Sequence, residues 1–185
     1  ATVACLNALG ADIKRTENGF SVHPIEKVTR GGQLNCNESG STLRFLLPLA
    51  ASLGADCDFN MRGRLPPRPL SPLYELLSYN GVTLSPQGSN PLKISGKLNS
   101  GNYSIASDVS SQYISGLLFA LSVAEGESTL TLEGKIESAP YIQMTLDALN
   151  LFGANIEYNE SQNSFKIIGR SRLSSPEQVE VCGDW

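Results

Sequence analysis

Three stretches of the chain carry one hydrophobic signature. Leu6-Asn7-Ala8-Leu9-Gly10-Ala11-Asp12-Ile13, Leu76-Leu77-Ser78-Tyr79-Asn80-Gly81-Val82-Thr83-Leu84 and Leu149-Asn150-Leu151-Phe152-Gly153-Ala154-Asn155-Ile156 each lead from apolar residues at helical spacing into a glycine. A glycine there suits the left-handed cap that ends a helix. The alternation that follows predicts a strand, a polar turn and a second strand, at Gly19 to His23, Leu92 to Ser95 and Phe165 to Ile168. Gly10, Gly81 and Gly153 stand 71 and 72 positions apart, a regularity that chance explains poorly.

The intervening segments repeat too. Ser41 to Leu53 and Ser111 to Val123 read as apolar helices, followed by strands at Ala55 to Met61 and Ser128 to Leu132. The loops Gly63 to Leu70 and Gly134 to Tyr141 then align at an offset of 71, with Pro69 and Pro140 each placed to open a helix. The repeating unit is βαβαββ. Complete copies span about 33–96 and 102–169, residues 1–32 hold the end of a third, and 170–185 form a tail with one predicted strand, Gln178 to Val181. The expected fold class is therefore α/β (α+β), with residues 1–185 as one lobe of pseudo-threefold order, because repeat units bury their cores against neighbours. The pattern allows helices inside and sheets outside, or the reverse. A chain that opens partway through its own repeat reads as a fragment.

Composition narrows the function classes. At 185 residues and 41% hydrophobic, the chain can bury one substantial core. A net charge of −4 argues against a nucleic-acid partner held by a general basic field. The longest apolar run, Phe45 to Leu49 with its extension to Leu53, is too short to span a bilayer, and the first residues show neither a charged leader nor a cleavage pattern. Cys5, Cys36, Cys57 and Cys182 lie far apart with one histidine, His23, so no metal site is expected. The reading is reduced, mostly buried thiols in a cytoplasmic protein, with His23 structural.

Two pairs of equivalent loops could carry chemistry. Asn35 to Thr42 and Asp108 to Gln112 both present small hydroxyl residues at a helix start, where free N–H groups and the helix dipole favour an anion. Serine and threonine also cap helices there, and capping is the plain alternative. In the second pair, Arg62, Arg64 and Arg68 crowd a proline-stiffened stretch without an acid, suited to bidentate grip on phosphate or carboxylate or else to a solvated surface loop. Ser138 and Tyr141 offer hydroxyls in the matching loop, although Tyr141 could equally pack at a helix start. No nucleophile–base pair and no phosphate-loop motif is present.

At these residues the chain resembles the enolpyruvyl transferases, and within them the 5-enolpyruvylshikimate-3-phosphate synthase family. Asn37 through Arg44, Arg64 through Pro69, Val109-Ser110-Ser111-Gln112-Tyr113, and Ser138-Ala139-Pro140-Tyr141-Ile142 with Met144-Thr145-Leu146 carry the resemblance, which continues to Asp184. It implies two lobes, each of three βαβαββ units, and transfer of enolpyruvyl from phosphoenolpyruvate to the 5-hydroxyl of shikimate 3-phosphate, by addition and elimination and without a cofactor. It also implies that Ser110, Ser111 and Ser138 bind the 3-phosphate and that Tyr141 contacts the same substrate. Gln112 would lie between the two substrates, and Arg64 and Gly40 would hold phosphoenolpyruvate; Arg44 and Arg68 would be supporting residues. No catalytic acid or base is expected here, because those belong to an amino-terminal cluster and a C-terminal lobe without counterparts in this chain. Glu38-Ser39-Gly40 departs from the family's frequent asparagine-alanine-glycine and adds a carboxylate on the phosphoenolpyruvate side. The related transferase acting on UDP-N-acetylglucosamine carries a cysteine in the loop matching Gly63 to Leu70, and this loop has none. A non-catalytic binding module built on the same repeat, as in RNA-cyclase-like folds, is the reading from another class.

Overall fold

A computed structural model describes residues 1–134, 136, 138–170 and 173–181. The chain opens with α1 (Thr2–Leu9), β1 (Asp12–Arg15) and β2 (Phe20–His23). One complete unit follows: β3 (Gly32–Asn37), α2 (Gly40–Ser52), β4 (Cys57–Met61), α3 (Leu73–Tyr79), β5 (Val82–Leu84) and β6 (Leu92–Gly96). The next is β7 (Asn102–Ala106), α4 (Ser111–Val123), β8 (Gly126–Glu133), α5 (Ala139–Leu151), β9 (Asn155–Asn159) and β10 (Ser164–Gly169). The two four-stranded sheets share one order, β3-β4-β6-β5 and β7-β8-β10-β9, with the first pair parallel and the rest antiparallel. β1 and β2 form a separate antiparallel hairpin. The architecture is βαβαββ twice over, preceded by the end of a third unit.

The repeated glycines do what their place in the pattern requires. Gly10, Gly81 and Gly153 have φ of 116, 92 and 78°, conformations that cost an L side chain strain. At Gly10 the reversal closes two cap bonds, Gly10 N–H to the Asn7 carbonyl and Ala11 N–H to that of Leu6. Those bonds satisfy carbonyls that the end of α1 would otherwise leave open.

The helices α2 and α4 lie inside and the two four-stranded sheets outside, whereas most of α5 faces solvent. α2 and α4 are apolar around most of their circumference, and Leu43, Leu46, Leu47, Leu117, Leu118 and Leu121 are buried between the sheets. The two helices touch backbone to backbone at Gly116, where an added Cβ would run into the Arg44 carbonyl and stand 3.0 Å from Pro48 Cγ. Each sheet turns one face inward: Cys57, Phe59 and Met61 of β4 and Phe165 and Ile167 of β10 are buried. Polar residues alternate with them on the outer face, where Lys93 pairs with Asp58 at 3.4 Å. The second helix of one unit leans on the first strand of the next, α1 against β3 and α3 against β7.

Two sequence expectations fail. Gln178 to Val181 forms no strand; none of the three sheets includes the segment, and Val181 is 86% exposed. A strand without a ladder partner leaves its backbone groups unpaired and has nothing to hold it extended. Pro69 does not open α3, which begins at Leu73 with Pro72 as its cap residue, whereas Pro140 does lie in the first turn of α5. The offset breaks because the earlier loop first makes turns of its own, Leu65 N–H to the Arg62 carbonyl and Arg68 N–H to that of Leu65.

Cys5, Cys36 and Cys57 are buried free thiols, and Cys182 lies outside the described residues. A hydrogen bond with Cys5 and burial push the Cys36 thiol far above its ordinary range. Burial, with Asp58 and Asp56 nearby, pushes Cys57 up to about 12. Thiols raised in this way, Cys36 and Cys57, stay protonated and unreactive. His23, expected to be structural, is exposed on β2. Among the described residues, no helix is long and apolar enough to cross a membrane, and no group of metal-ligating side chains is assembled.

Candidate functional site

The parallel course of α2, α4 and α5 builds the site. Arg44, one turn into α2, donates from Nη1 to Gln112 Oε1 at 2.8 Å, so the first turns of α2 and α4 lie side by side. Ser115 and Thr145 join their hydroxyls at 2.7 Å and do the same for α4 and α5. Three helix N-termini thus open toward one end of the molecule, each with unbonded backbone N–H groups and a positive dipole end.

At the α2 end, Gly40 is the first helical residue, and Ser39 caps it by accepting from the Thr42 N–H at 3.3 Å. The open face of Gly40 looks onto two guanidinium groups. A Cβ there would stand 3.2 Å from Arg44 Nη1, 3.4 Å from Arg68 Nη1 and 3.7 Å from Leu65 Cδ1. The two Nη1 atoms can therefore be no more than about 7 Å apart. At an effective near-surface dielectric, two positive charges at that range repel by roughly 2–3 kcal/mol, which an anion between them would reverse. Among the described residues none of Arg44, Arg62, Arg64 and Arg68 is paired with a carboxylate. Arg44 Nε is buried and has no hydrogen-bond partner. Among the described residues, the corner at Gly40 is a cationic site whose arginines have no carboxylate in ion-pair contact.

At the α4 end, Ser110 caps the helix, its hydroxyl accepting from the Gln112 N–H at 3.3 Å. The capping reading of Ser39 and Ser110 is therefore correct as far as it goes. A hydroxyl that accepts one bond still has its proton to donate, so capping leaves an anion contact available. Ser111, Gln112 and Tyr141 line one groove of about 490 Å³ with Phe45 and Phe119, whose rings meet edge to face at 5.7 Å. Tyr141 is 65% exposed at the start of α5, so the packing alternative for its ring does not apply. Ser138 stands at the α5 cap position, half-buried, and its side chain makes no cap hydrogen bond.

Arg64 is exposed and supplies none of the three atoms nearest the Gly40 face. Arg44 and Arg68, read from sequence as supporting residues, are the ones at that face. Two spacings carried the information. Arg44 is four positions after Gly40 and so shares its side of α2. The turns of the loop put Arg62, Leu65 and Arg68 at intervals of three, with Leu65 and Arg68 facing Gly40. Glu38 directs its carboxylate over Gly63, where any Cβ would collide with it, so this acid lies across the arginine loop rather than at Gly40.

The whole chain, residues 1–185, matches the family model of EPSP synthase (3-phosphoshikimate 1-carboxyvinyltransferase). A 3-phosphoshikimate 1-carboxyvinyltransferase of Clostridium kluyveri is 38% identical over 91% of the chain and 40% of its own length. One from Clostridium botulinum is 38% identical over the full chain and 44% of its own length. Among solved structures, EPSP synthase from Acinetobacter baumannii superposes with a TM-score of 0.73 over 93% of the chain and 39% of its own, at 20% identity, a likeness of fold. The chain thus spans between 39% and 45% of the length of such relatives.

Proposed function

The chain belongs to the EPSP synthase family, and on that premise we propose that residues 1–185 form the substrate-binding lobe of an enolpyruvyl transferase working in the cytoplasm on shikimate 3-phosphate and phosphoenolpyruvate. Ser110, Ser111 and Ser138, with the N-termini of α4 and α5, hold the 3-phosphate; Tyr141 borders the ring of that substrate, and Gln112 lies between the two ligands. Phosphoenolpyruvate occupies the corner at Gly40, where a glycine lets an anion approach the α2 N-terminus and where Arg44 and Arg68 grip it. Arg64, exposed on the same loop, joins them in holding phosphoenolpyruvate, as the resemblance implies.

In the reaction, the 5-hydroxyl of shikimate 3-phosphate adds to C2 of phosphoenolpyruvate while a proton is delivered to C3. The 5-hydroxyl gives up its own proton as the C–O bond forms, and the tetrahedral adduct then loses inorganic phosphate from C2 and a proton from C3, restoring the C2–C3 double bond as an enol ether. This lobe binds and orients, which removes the entropic cost of bringing together two ligands that each carry a phosphate and a carboxylate. Proton transfer at C3 falls to groups in the remaining length of the relatives, and a second lobe closing over the site is the partner required. On this proposal the 185-residue chain by itself releases no phosphate.

The observation that carries the proposal is the 2.8 Å bond between Arg44 and Gln112, which joins the cationic corner to the hydroxyl-lined groove. Titration calorimetry of the chain with shikimate 3-phosphate tests it. Binding of roughly millimolar strength or tighter, weakened about tenfold by Ser110→Ala with Ser111→Ala, is the expected result. Absence of binding by the unaltered chain, or equal binding of UDP-N-acetylglucosamine, overturns it, and capture of RNA ends would point to the scaffold reading.

A further inference from the structure

Two like-charged arginines from different elements do not converge on one glycine unaided, and one side chain of the neighbouring unit touches the carriers of both. Tyr113, the third residue of α4, is 2% exposed. Its ring lies beneath Arg44, with the guanidinium carbon 5.5 Å from the ring centroid. Its hydroxyl donates at 2.9 Å to the carbonyl of Pro69, the residue that directly follows Arg68. The ring offers its negative face to one cation. The hydroxyl pins the backbone that carries the other, in a loop where Pro66, Pro67 and Pro69 already restrict the chain.

We infer that Tyr113 is the positioning residue of the anion corner: the ring sets where Arg44 stands, the hydroxyl sets where Arg68 stands, and together they fix the spacing of the two guanidiniums before a ligand arrives. The inference rests on the proposed function for the identity of the ligand. It goes further in assigning the corner's geometry to a residue that touches neither substrate. The two halves of the device are separable, because Tyr113→Phe deletes the hydroxyl and keeps the ring, whereas Tyr113→Leu deletes both. Tyr113 also sits one position after Gln112 and three after Ser110, so α4 places its polar groups on the groove and this phenol against the arginines.

The test compares the two variants with the unaltered chain in phosphoenolpyruvate binding, shikimate 3-phosphate binding and amide hydrogen exchange. For Tyr113→Phe, phosphoenolpyruvate affinity is expected to fall about five- to tenfold, the value of one hydrogen bond, while shikimate 3-phosphate affinity stays within twofold. Tyr113→Leu is expected to lose more phosphoenolpyruvate affinity, again selectively. Exchange is expected to quicken in Tyr113→Phe across 62–70 and to stay unchanged in β4 and the middle of α4. Unchanged phosphoenolpyruvate binding by Tyr113→Phe overturns the inference, and so does a parallel fall for both ligands, which is what a merely structural tyrosine would give. Should the unaltered chain bind neither ligand, the functional proposal fails, and unchanged exchange in 62–70 would then overturn the positioning role on its own account.

Discussion

In the first complete unit the connection from β4 to α3 runs from Arg62 to Pro72, turning twice on itself before the helix begins. In the second, the equivalent connection from β8 to α5 runs only from Gly134 to Ser138, and the helix starts at once. The sheets, inner helices and hairpins of the two units otherwise follow the same order. The long connection has room to swing guanidinium groups back over the start of α2. The short one, among its described residues, offers what stands at a helix start, the Ser138 hydroxyl and backbone N–H groups. Repetition of the scaffold thus decides where ligand-facing loops lie, and loop length decides which chemistry each presents.

The comparison can be broken most severely in the two cores. Phe59 on β4 and Phe165 on β10 are both buried, and truncation of either to alanine is expected to cost about 3–5 kcal/mol of unfolding free energy in urea titrations. The larger loss is expected at Phe59. Phe165 stacks at 4.9 Å on Tyr158, which is itself 47% exposed, so a cavity at Phe165 can open to water. Equal losses would mean that the two cores relax alike.

A smaller effect tests the seam between the units. Gly116→Ala should cost about 1–3 kcal/mol in the same titration, even though alanine ordinarily favours a helix by about 1 kcal/mol over glycine. The cost arises because the new methyl meets the Arg44 backbone, which cannot move without shifting α2. A stabilised variant would show that the helices can separate freely. Smallest are the caps: Ser39→Ala and Ser110→Ala should each lose about 1 kcal/mol. Ser39 should lose more, since its hydroxyl also bonds Thr42 Oγ1 at 2.8 Å, whereas that of Ser110 makes only the cap bond among the described residues.

Much of the fold was legible because repetition supplied two readings of each element, and three of the helix end and hairpin. One glycine before a strand is a weak signal; Gly10, Gly81 and Gly153 at near-equal spacing made the helix ends and hairpins plain. α4 runs over Ser111–Val123, the span that its apolar pattern predicts. Where the repeat was imperfect the reading failed, as at Pro69, because a fixed offset takes no account of loop turns. The segment Gln178 to Val181 misled for another reason, since alternation records the capacity to pair and not the presence of a partner. The site was half legible. Ser111, Gln112 and Tyr141 do line one groove, but Arg62, Arg64 and Arg68 are alike in composition, and only the three-residue turn of their loop separates Arg68 from Arg64. The hydroxyl of Tyr113 carried no signal at all, because its acceptor is a backbone carbonyl more than forty positions away.

The hairpin of β1 and β2 has a further consequence. Among the described residues it pairs with no other strand, every residue of β2 is exposed, and Phe20 and Val22 stand 58% and 61% open to solvent on one side of it. Two short strands without a covering layer are of marginal stability. Such a hairpin can open and close by itself while the helices stay buried, so its amides lose their protons through local fraying. Those of Leu117 and Phe165 wait for the whole molecule to unfold.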